Sequence, residues 1–508
     1  MFLGIDLGTT NVKAVLVDRS GMPVARGSSP VSRRCTPDGG VEQDIEEIWQ
    51  ATCAAIRQAV EADGLNARVE AIGVSSQGGA LQLLDADLNP LGPVISWMDG
   101  RGGPFDRALV EELGEDFFVE HVGCRSCLIT PGQILRLRRQ LPERMERAAA
   151  IGYVGDVIVG RLCGRRAHDA TSLSIAFLYN PSLGRADPEL LRRLGLREEM
   201  LPELLPANRP AGPLAAKAAE ATGLPQGIPV SPAMHDQYAA SLGVGAVREG
   251  DVSLGTGTAW AMIALGGHLR RPVTSQAIVC PHPVRGRFGQ MLSMVNGGST
   301  VEWVARLTGR SLSSSEWDDL MDSVPAGCDG LVFWPYLVRL GANVEPPDDR
   351  AAGARPDHTH PSRQSEATRP GLEKPRSGGR IHGITLAHGP EHLLRAAVEG
   401  LACELARHFR ALAAGGHPVN RVLLSGGAAS SRVTPQIIAD ATDRPVAAVT
   451  EPAVSALGAA ILARAMVEPH RELGELAEGF ASTSLKYSPG RDAMVYRRLL
   501  ARFLEEAE

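Results

Sequence analysis

The first 18 residues constrain the fold more than any other stretch, because two apolar runs flank a short polar loop. Residues 2–5 and 12–17 are rich in aliphatic and β-branched side chains, and the loop holds one Gly and two Thr, so the pattern predicts a β-hairpin. Small turn residues let backbone N–H groups approach an anion, and Asp6 beside them can hold a hydrated cation while Lys13 adds positive charge. We therefore predict a phosphate and metal site here; the alternative is an ordinary edge hairpin with a Thr-rich turn.

A second loop of the same kind lies near the middle of the chain. Gly255, Thr256, Gly257 and Thr258 again stand between two apolar runs. Two such hairpins, one in each half, indicate a nucleotide held between two domains.

The composition restricts the class of protein. The chain has 508 residues, enough for two large domains, and its 44% hydrophobic and 22% charged content is ordinary for a globular protein. A formal net charge of −6 argues against nucleic acid or an anionic membrane as partner. The N-terminus lacks a basic region and no long uncharged apolar run occurs, so we expect a cytoplasmic protein without a secretory signal.

The eight cysteines are scattered at low density. Only Cys124 and Cys127 have a spacing typical of metal sites, and no second pair accompanies them. Reduced structural thiols are favoured over a zinc site.

Polar residues follow two predicted strands in the first half. The strand at 69–75 leads into Gln77 and Gly78, and the run at 93–97 leads into Asp99 and its neighbour Arg101. Because ligands bind at strand ends in an open α/β sheet, we predict the wall of a substrate pocket. The alternative for Asp99 and Arg101 is a surface ion pair. Residues 105–205 are predicted to be mostly helical, including 151–162.

Asp236 is the candidate catalytic base. It follows a buried strand and opens an Ala-rich helix, where the backbone would position its carboxylate. The alternative is a simple helix N-cap, but Asp236 lies about twenty residues before the second Gly-Thr loop, which favours catalysis.

Two further segments differ in character. The predicted strand at 421–424 ends in Gly426, Gly427 and Ala428, where a flat ring can lie on the backbone, so we predict the adenine site there. Residues 346–380 contain six prolines and one large aliphatic side chain, which predicts a solvated polar insertion.

In this order, the two hairpins, the acid between them and the Gly-rich strand end resemble the FGGY carbohydrate kinases, of the actin, sugar kinase and chaperone ATPase superfamily. The resemblance runs over residues 1–466 and is greatest to xylulokinase-like members. It implies an α/β chain of two ribonuclease-H-like domains with a deep interdomain cleft. The expected units are a sugar-binding domain at 1–246, an ATP-binding domain at 247–470 with the insertion at 346–380, and a helical tail at 471–508.

The resemblance also implies the roles of individual residues and the reaction ATP + sugar → ADP + sugar phosphate. Asp236 would be the general base, and Asp6 and Asp236 would hold Mg²⁺ through water. The sugar would contact Gln77, Gly78, Asp99 and Asp236. ATP would contact Gly8, Thr9, Thr10, Lys13, Gly255, Thr256, Thr258, Gly426, Gly427 and Ala428. The implied cofactors are ATP and Mg²⁺, the partner is a small sugar or polyol, and a homodimer is left open.

Departures from the family pattern bear on the acceptor. Xylulokinases have a Met-His pair after the residue matching Gln77, whereas Gly78 and Gly79 follow here, and Gln133 replaces the usual Lys. A ketopentose such as xylulose is the expected acceptor, and glycerol, erythritol or a heptulose is the alternative.

A nucleotide-dependent scaffold or chaperone is the alternative from another class, because such proteins share the two hairpins. Asp236 together with Gln77 and Asp99 at strand ends favours an enzyme. A Walker-type kinase is not expected, since Gly-Lys followed by Ser or Thr is absent from the sequence.

Overall fold

The computed structural model describes residues 1–61, 65–294, 296–309, 314–337, 378–480 and 484–505. Within them the chain forms two α/β domains. The strands of the first domain are β1 (Phe2–Leu7), β2 (Asn11–Val17), β3 (Pro23–Pro30), β4 (Arg34–Cys35), β5 (Val41–Gln43), β6 (Ala71–Ser76), β7 (Leu81–Leu84), β8 (Val94–Ile95), β9 (Ala150–Tyr153), β10 (Ala167–His168), β11 (Tyr179–Asn180), β12 (Arg185–Ala186), β13 (Glu203–Leu204), β14 (Gly212–Pro213) and β15 (Pro229–His235). Its helices are α1 (Ile45–Val60), α2 (Gly103–Leu113), α3 (Glu115–Val122), α4 (Thr130–Gln140), α5 (Pro142–Arg147), α6 (Val154–Cys163), α7 (Ala170–Ile175), α8 (Pro188–Leu194), α9 (Ala216–Thr222) and α10 (Asp236–Gly243).

The second domain continues the chain. Its strands are β16 (Asp251–Thr256), β17 (Trp260–Gly266), β18 (Ile278–Pro281), β19 (Phe288–Met294), β20 (Val332–Trp334), β21 (Arg380–His382), β22 (Arg421–Gly426), β23 (Val446–Ala448) and β24 (Leu485–Tyr487). Its helices are α11 (Gly298–Leu307), α12 (Ser314–Asp322), α13 (Pro390–Ala414), α14 (Thr434–Thr442), α15 (Val454–Val467), α16 (Leu473–Phe480) and α17 (Ala493–Glu505).

The two main sheets repeat one topology. The first has the order β13-β10-β15-β6-β1-β2-β3, in which β1, β2 and β3 are antiparallel neighbours and β6 and β15 run parallel to β1. The second has the order β18-β19-β17-β16-β22-β23-β24, with β16 antiparallel to β17 and parallel to β22. This duplication is the predicted pair of ribonuclease-H-like domains, and each begins with one of the Gly-Thr hairpins.

Register places the predicted site at one edge of the first sheet. Asp6 lies opposite Ser75, and His235 lies opposite Ser76, so the carboxyl ends of β1, β6 and β15 meet. The three strands are buried along almost their whole length, as expected for parallel strands in the middle of a sheet.

Helix α15 of the second domain packs against the first domain at glycines. A Cβ on Gly4 of β1 or Gly73 of β6 would lie 1.8 Å from a carbonyl oxygen of α15, and a Cβ on Gly458 would lie 1.8 Å from the Ala239 carbonyl oxygen of α10. Side-chain-free positions therefore let α15 approach the first sheet and α10 at backbone contact. This packing against α15 of the second domain holds helix α10, which starts at Asp236, in place.

The predicted tail is part of the second domain's packing and is not only helical. Strand β24 extends the second sheet beside β23. Trp334 stacks on Phe503 of α17 with ring centroids 5.5 Å apart, and its Nε1 donates to the Phe503 carbonyl oxygen at 3.1 Å. Arg395 and Tyr496 both donate to Glu399 Oε1, at 2.8 Å each, in the buried contact between α13 and α17.

One predicted helix is partly wrong. Residues 150–153 form β9, paired with β7, and the helix starts only at Val154. These buried residues pair with a neighbouring strand instead of forming a helical turn. An apolar run alone does not distinguish a buried strand from a buried helix. Residues 346–377 of the predicted insertion lie outside the described residues, and Arg380 begins β21. Within the described ranges, no helix is long and apolar enough to cross a membrane.

Candidate active site

The first hairpin turns between β1 and β2. A Cβ on Gly8 would lie 2.7 Å from the Asn11 carbonyl oxygen, so the turn requires glycine there. Thr9 Oγ1 donates to Gln77 Oε1 at 3.2 Å and accepts from Trp97 Nε1 at 3.1 Å. The predicted phosphate contact Thr9 thus has its hydroxyl turned towards the predicted sugar side, while Thr10 at the tip is exposed.

Lys13 extends from this hairpin towards the second domain. It pairs with Asp6 across the strands, but its Nζ donates to the Pro452 carbonyl oxygen at 3.2 Å. This exposed bond bridges the two domains.

The second hairpin is bonded to the predicted adenine segment. Thr256 Oγ1 donates to the Ser425 carbonyl oxygen at 2.6 Å and accepts from the Ala428 N–H at 3.0 Å. Gly426 has φ 86°, and a Cβ there would lie 2.7 Å from the Thr256 carbonyl oxygen. The predicted phosphate and adenine residues therefore form one continuous surface, with Gly257 and Thr258 exposed at the hairpin tip.

Two residues missed by the sequence prediction join this surface. The N–H of Gly298, at the start of α11, donates to the Gly257 carbonyl oxygen, and the N–H of Ser299 donates to that of Thr258, both at 3.0 Å. The Asn-Gly-Gly-Ser sequence entering a helix was the available signal.

The two predicted carboxylates lie at the same edge of the first sheet, where β1 and β15 end on either side of β6. Asp6 Oδ1 accepts from Ser75 Oγ at 2.9 Å. Burial raises the pKa of Asp6 to about 6, and the charge of Asp236 adds to the effect. Burial likewise raises the pKa of Asp236 to about 6, against the hydrogen bond from the Gln237 backbone. A carboxylate with a pKa near the working pH is suited to general base catalysis.

His235 lies beside the candidate base. Its Nε2 is 3.3 Å from Asp236 Oδ1, and burial lowers its pKa to about 3, so the ring is neutral. The side-chain oxygen of Gln237 lies 3.4 Å from the place of a Cβ on Gly255. The residues on either side of Asp236 therefore reach the first sheet, through His235, and the second Gly-Thr hairpin, through Gln237.

The donors at this edge fit Mg²⁺. Two partly uncompensated carboxylates offer the oxygen ligands that the ion prefers. No group of three or more His, Cys, Asp or Glu side chains in the described part of the chain could hold a metal ion alone. Mg²⁺ commonly keeps several waters and binds substrate phosphates, so two carboxylates are an adequate protein contribution.

Gln77 and Asp99, both predicted to bind sugar, are engaged within the protein. Gln77 Nε2 donates to Gln43 Oε1 at 3.0 Å, and its oxygen accepts from Thr9. Asp99 is buried; its Oδ1 accepts from Gln133 Nε2 and its Oδ2 from the Val41 N–H, both at 3.0 Å. Despite burial, hydrogen bonds from Arg101, Val41 and Gln133 keep the pKa of Asp99 below its ordinary value.

Asp99 and Arg101 do form an ion pair, with NH2 of Arg101 2.6 Å from Oδ2 of Asp99. The pair is largely buried, whereas the alternative interpretation was an ion pair at the surface. Both oxygens of Asp99 accept hydrogen bonds within the protein, and its contact with the sugar stays a prediction. Trp97 and Met98 of this loop are each nearly half exposed.

Cys124 and Cys127 are buried, as expected for structural thiols. Cys127 Sγ donates to Asp106 Oδ1 at 3.5 Å, and burial raises its pKa, so it stays protonated.

Fold and site together define a class: a two-domain chain of the actin-like ATPase fold, with a Gly-Thr hairpin in each main sheet and two carboxylates at one edge of the first sheet. The chain belongs to the FGGY family of carbohydrate kinases, whose N-terminal domain model matches residues 1–243 and whose C-terminal domain model matches residues 251–467. It is an ATP-dependent carbohydrate kinase acting on a small-molecule acceptor.

Known relatives span the whole chain. It is 27% identical to a xylulose kinase of Escherichia coli (strain K12) over 99% of both chains. It is also 27% identical to an erythritol kinase of Brucella abortus (strain 2308), over 97% of this chain and 92% of the relative. The solved xylulose kinase of Rhodospirillum rubrum superposes with a TM-score of 0.84 at 27% identity, covering 99% and 97% of the two chains. Family membership favours the enzyme over the scaffold alternative.

Proposed function

We propose that this kinase transfers the γ-phosphoryl group of Mg-ATP to a hydroxyl of a short ketose, with xylulose the first candidate, and that Asp236 is the general base. The observation that carries the proposal is the placement of Asp236: it is the first residue of α10, it is half-buried, and its pKa is raised to about 6. Relatives named for xylulose across the full chain length support the acceptor class.

Asp236 would accept the proton of the acceptor hydroxyl as its oxygen attacks the γ-phosphorus and the bond to the ADP oxygen breaks. Neutral His235 beside it adds no positive charge that would depress its basicity. Asp6 and Asp236 would hold Mg²⁺, which would supply positive charge to the phosphoryl oxygens. Because protein in phosphoryl transfer mainly positions reactants, backbone packing of α10 against α15 is part of the machinery.

The nucleotide would lie along Gly8 to Thr10, the second hairpin and the 426–428 segment. Support for this surface is its continuity through Thr256, whose hydroxyl joins both parts. Lys13, now bonded to the Pro452 carbonyl oxygen, would exchange that partner for a phosphate oxygen.

The acceptor would lie against Trp97 and the Gly78 segment, beside Asp236. A second candidate acceptor is a polyol such as erythritol or glycerol, since Gly78 contributes no side chain that selects a ketose. The erythritol kinase, which is also 27% identical to this chain, supports a polyol as the second candidate.

The test is ADP release with Mg-ATP over a panel of pentuloses, hexuloses, heptuloses and polyols, with each product identified by mass. We expect one short ketose to give the highest kcat/KM and to gain one phosphoryl group. If a polyol gives the highest kcat/KM, the proposed acceptor becomes that polyol and the phosphoryl-transfer reaction stands. ADP release that is independent of every acceptor would overturn the proposal.

A further inference from the structure

Two adjacent glycines lie in the segment against which the proposed function places the acceptor, and side chains from elsewhere fill the space that a side chain at either position would take. A Cβ on Gly78 would lie 2.4 Å from His235 Cδ2 and 2.6 Å from Ile175 Cγ2. A Cβ on Gly79, which has φ 69°, would lie 2.6 Å from Ile129 Cγ2. That space is thus filled by an imidazole and two isoleucines, brought in from β15, α7 and the start of α4.

Ile129 is held in a conformation that a β-branched residue rarely adopts. Its φ is 68° and its ψ is −95°, outside the regions open to such residues. Strained backbone of this kind persists only where the surroundings determine it, and it clusters at functional sites. Here the residue is fixed between Gly79 and helix α4, whose first turn is buried.

The strained residue is connected to the catalytic base by direct contacts. Ile129 packs on Gly79, and Gly78, the residue before it, packs on the His235 ring. His235 Nε2 is in turn 3.3 Å from Asp236 Oδ1. Ile129 is half-buried, so part of the residue is open to solvent. An aliphatic group there offers no hydrogen bond and excludes volume.

We propose that Ile129 is a specificity-determining residue that limits the length of the acceptor by occupying the end of the pocket beside Gly79. This rests on the proposed function, which places the acceptor at Asp236. The class of ligand selected is a ketose or polyol whose terminal carbon stops at the isoleucine. A longer acceptor would meet its side chain, which Gly79 and the backbone prevent from moving away.

The test measures kcat/KM for two acceptors one carbon apart, D-xylulose and D-fructose, in the unmutated kinase and in Ile129→Ala. If polyols lead the panel, glycerol and erythritol take their place. One methylene group in an apolar pocket changes discrimination by roughly 10–200-fold. We expect the longer-to-shorter ratio to rise at least about tenfold in Ile129→Ala, and by a smaller factor in Ile129→Val, which keeps the β-branch.

Leu88 provides the matched control. It also has a positive φ, 62°, and lies in the exposed turn between Asp85 and Asn89, away from Asp236. Leu88→Ala should leave the acceptor ratio unchanged. At both positions the Gly variant should be more resistant to urea than the Ala variant, because only glycine adopts a positive φ freely.

The outcomes separate the inference from the proposed function. A ratio that stays within about twofold in folded Ile129→Ala and Ile129→Val overturns the role of Ile129 while the kinase assignment stands. An Ile129→Gly variant less stable than Ile129→Ala would overturn the held conformation and the inference with it. An unmutated chain that phosphorylates no acceptor contradicts the proposed function itself.

Discussion

Replacing Gly458 by Ala should impair both stability and catalysis, because this glycine sets the distance between α15 and α10. The new Cβ would lie 1.8 Å from the Ala239 carbonyl oxygen, where ordinary contact needs about 3.4 Å. The obstacle is backbone, so no side-chain rotation relieves it and the helices must separate by roughly 1.5 Å. Overpacking of this kind costs about 3 kcal/mol.

The separation should reach the active site, since Ala239 lies one turn after Asp236 on α10. A misplacement of about 1 Å in a reacting group lowers turnover by up to a hundredfold. We expect the Gly458→Ala kinase to lose at least about tenfold in kcat and about 5 °C in its thermal midpoint. Steady-state ADP release and a thermal melt measure the two effects.

Gly479 is the matched control, a glycine in the neighbouring helix α16 where an added Cβ meets no atom of the described residues within 4 Å. Gly479→Ala should keep kcat and gain up to about 1 kcal/mol from helix propensity. If Gly458→Ala melts and turns over like Gly479→Ala, the helix contact does not position the base.

Three further predictions concern other contacts. Thr256→Val removes the hydroxyl that joins Ser425 and Ala428 and should raise KM for ATP by about tenfold, leaving KM for the acceptor nearly constant, as initial-rate kinetics would show. Arg395→Met leaves Glu399 buried without its ion-pair partner and should lower the urea midpoint by an amount equivalent to about 3–5 kcal/mol, whereas removing an exposed arginine costs less than about 1 kcal/mol. Because the pKa of Asp236 is raised to about 6 and the base acts deprotonated, kcat/KM should fall about tenfold per pH unit below 6 and level off above it; a profile flat down to pH 4.5 would contradict that role.

Local sequence was sufficient for the hairpins and the site edge. Asp6 and Asp236 could be located because each lies at the carboxyl end of a short apolar strand. Strands of that composition are buried. The order of the motifs then gave the family and hence the duplicated sheet.

What sequence could not give are contacts made by distant residues. Asp99 is saturated by groups from β5 and α4, so its role depends on elements far from it in the chain. The direction of the Thr9 hydroxyl is decided by Gln77 and Trp97. Similarly, Gly458 looks like any helical glycine until α10 is placed against it.

The most direct measurement of the central claim compares Asp236→Asn with the unmutated kinase, using the best acceptor for kcat and calorimetric titration for the ADP dissociation constant. General base catalysis contributes about 10²–10⁴-fold. The account predicts that kcat falls by at least about a hundredfold, while the dissociation constant for ADP titrated without Mg²⁺ changes less than about threefold, because the carboxylate acts on the acceptor hydroxyl and meets the nucleotide only through Mg²⁺. Turnover within about fivefold of the unmutated kinase would show that Asp236 is not the base.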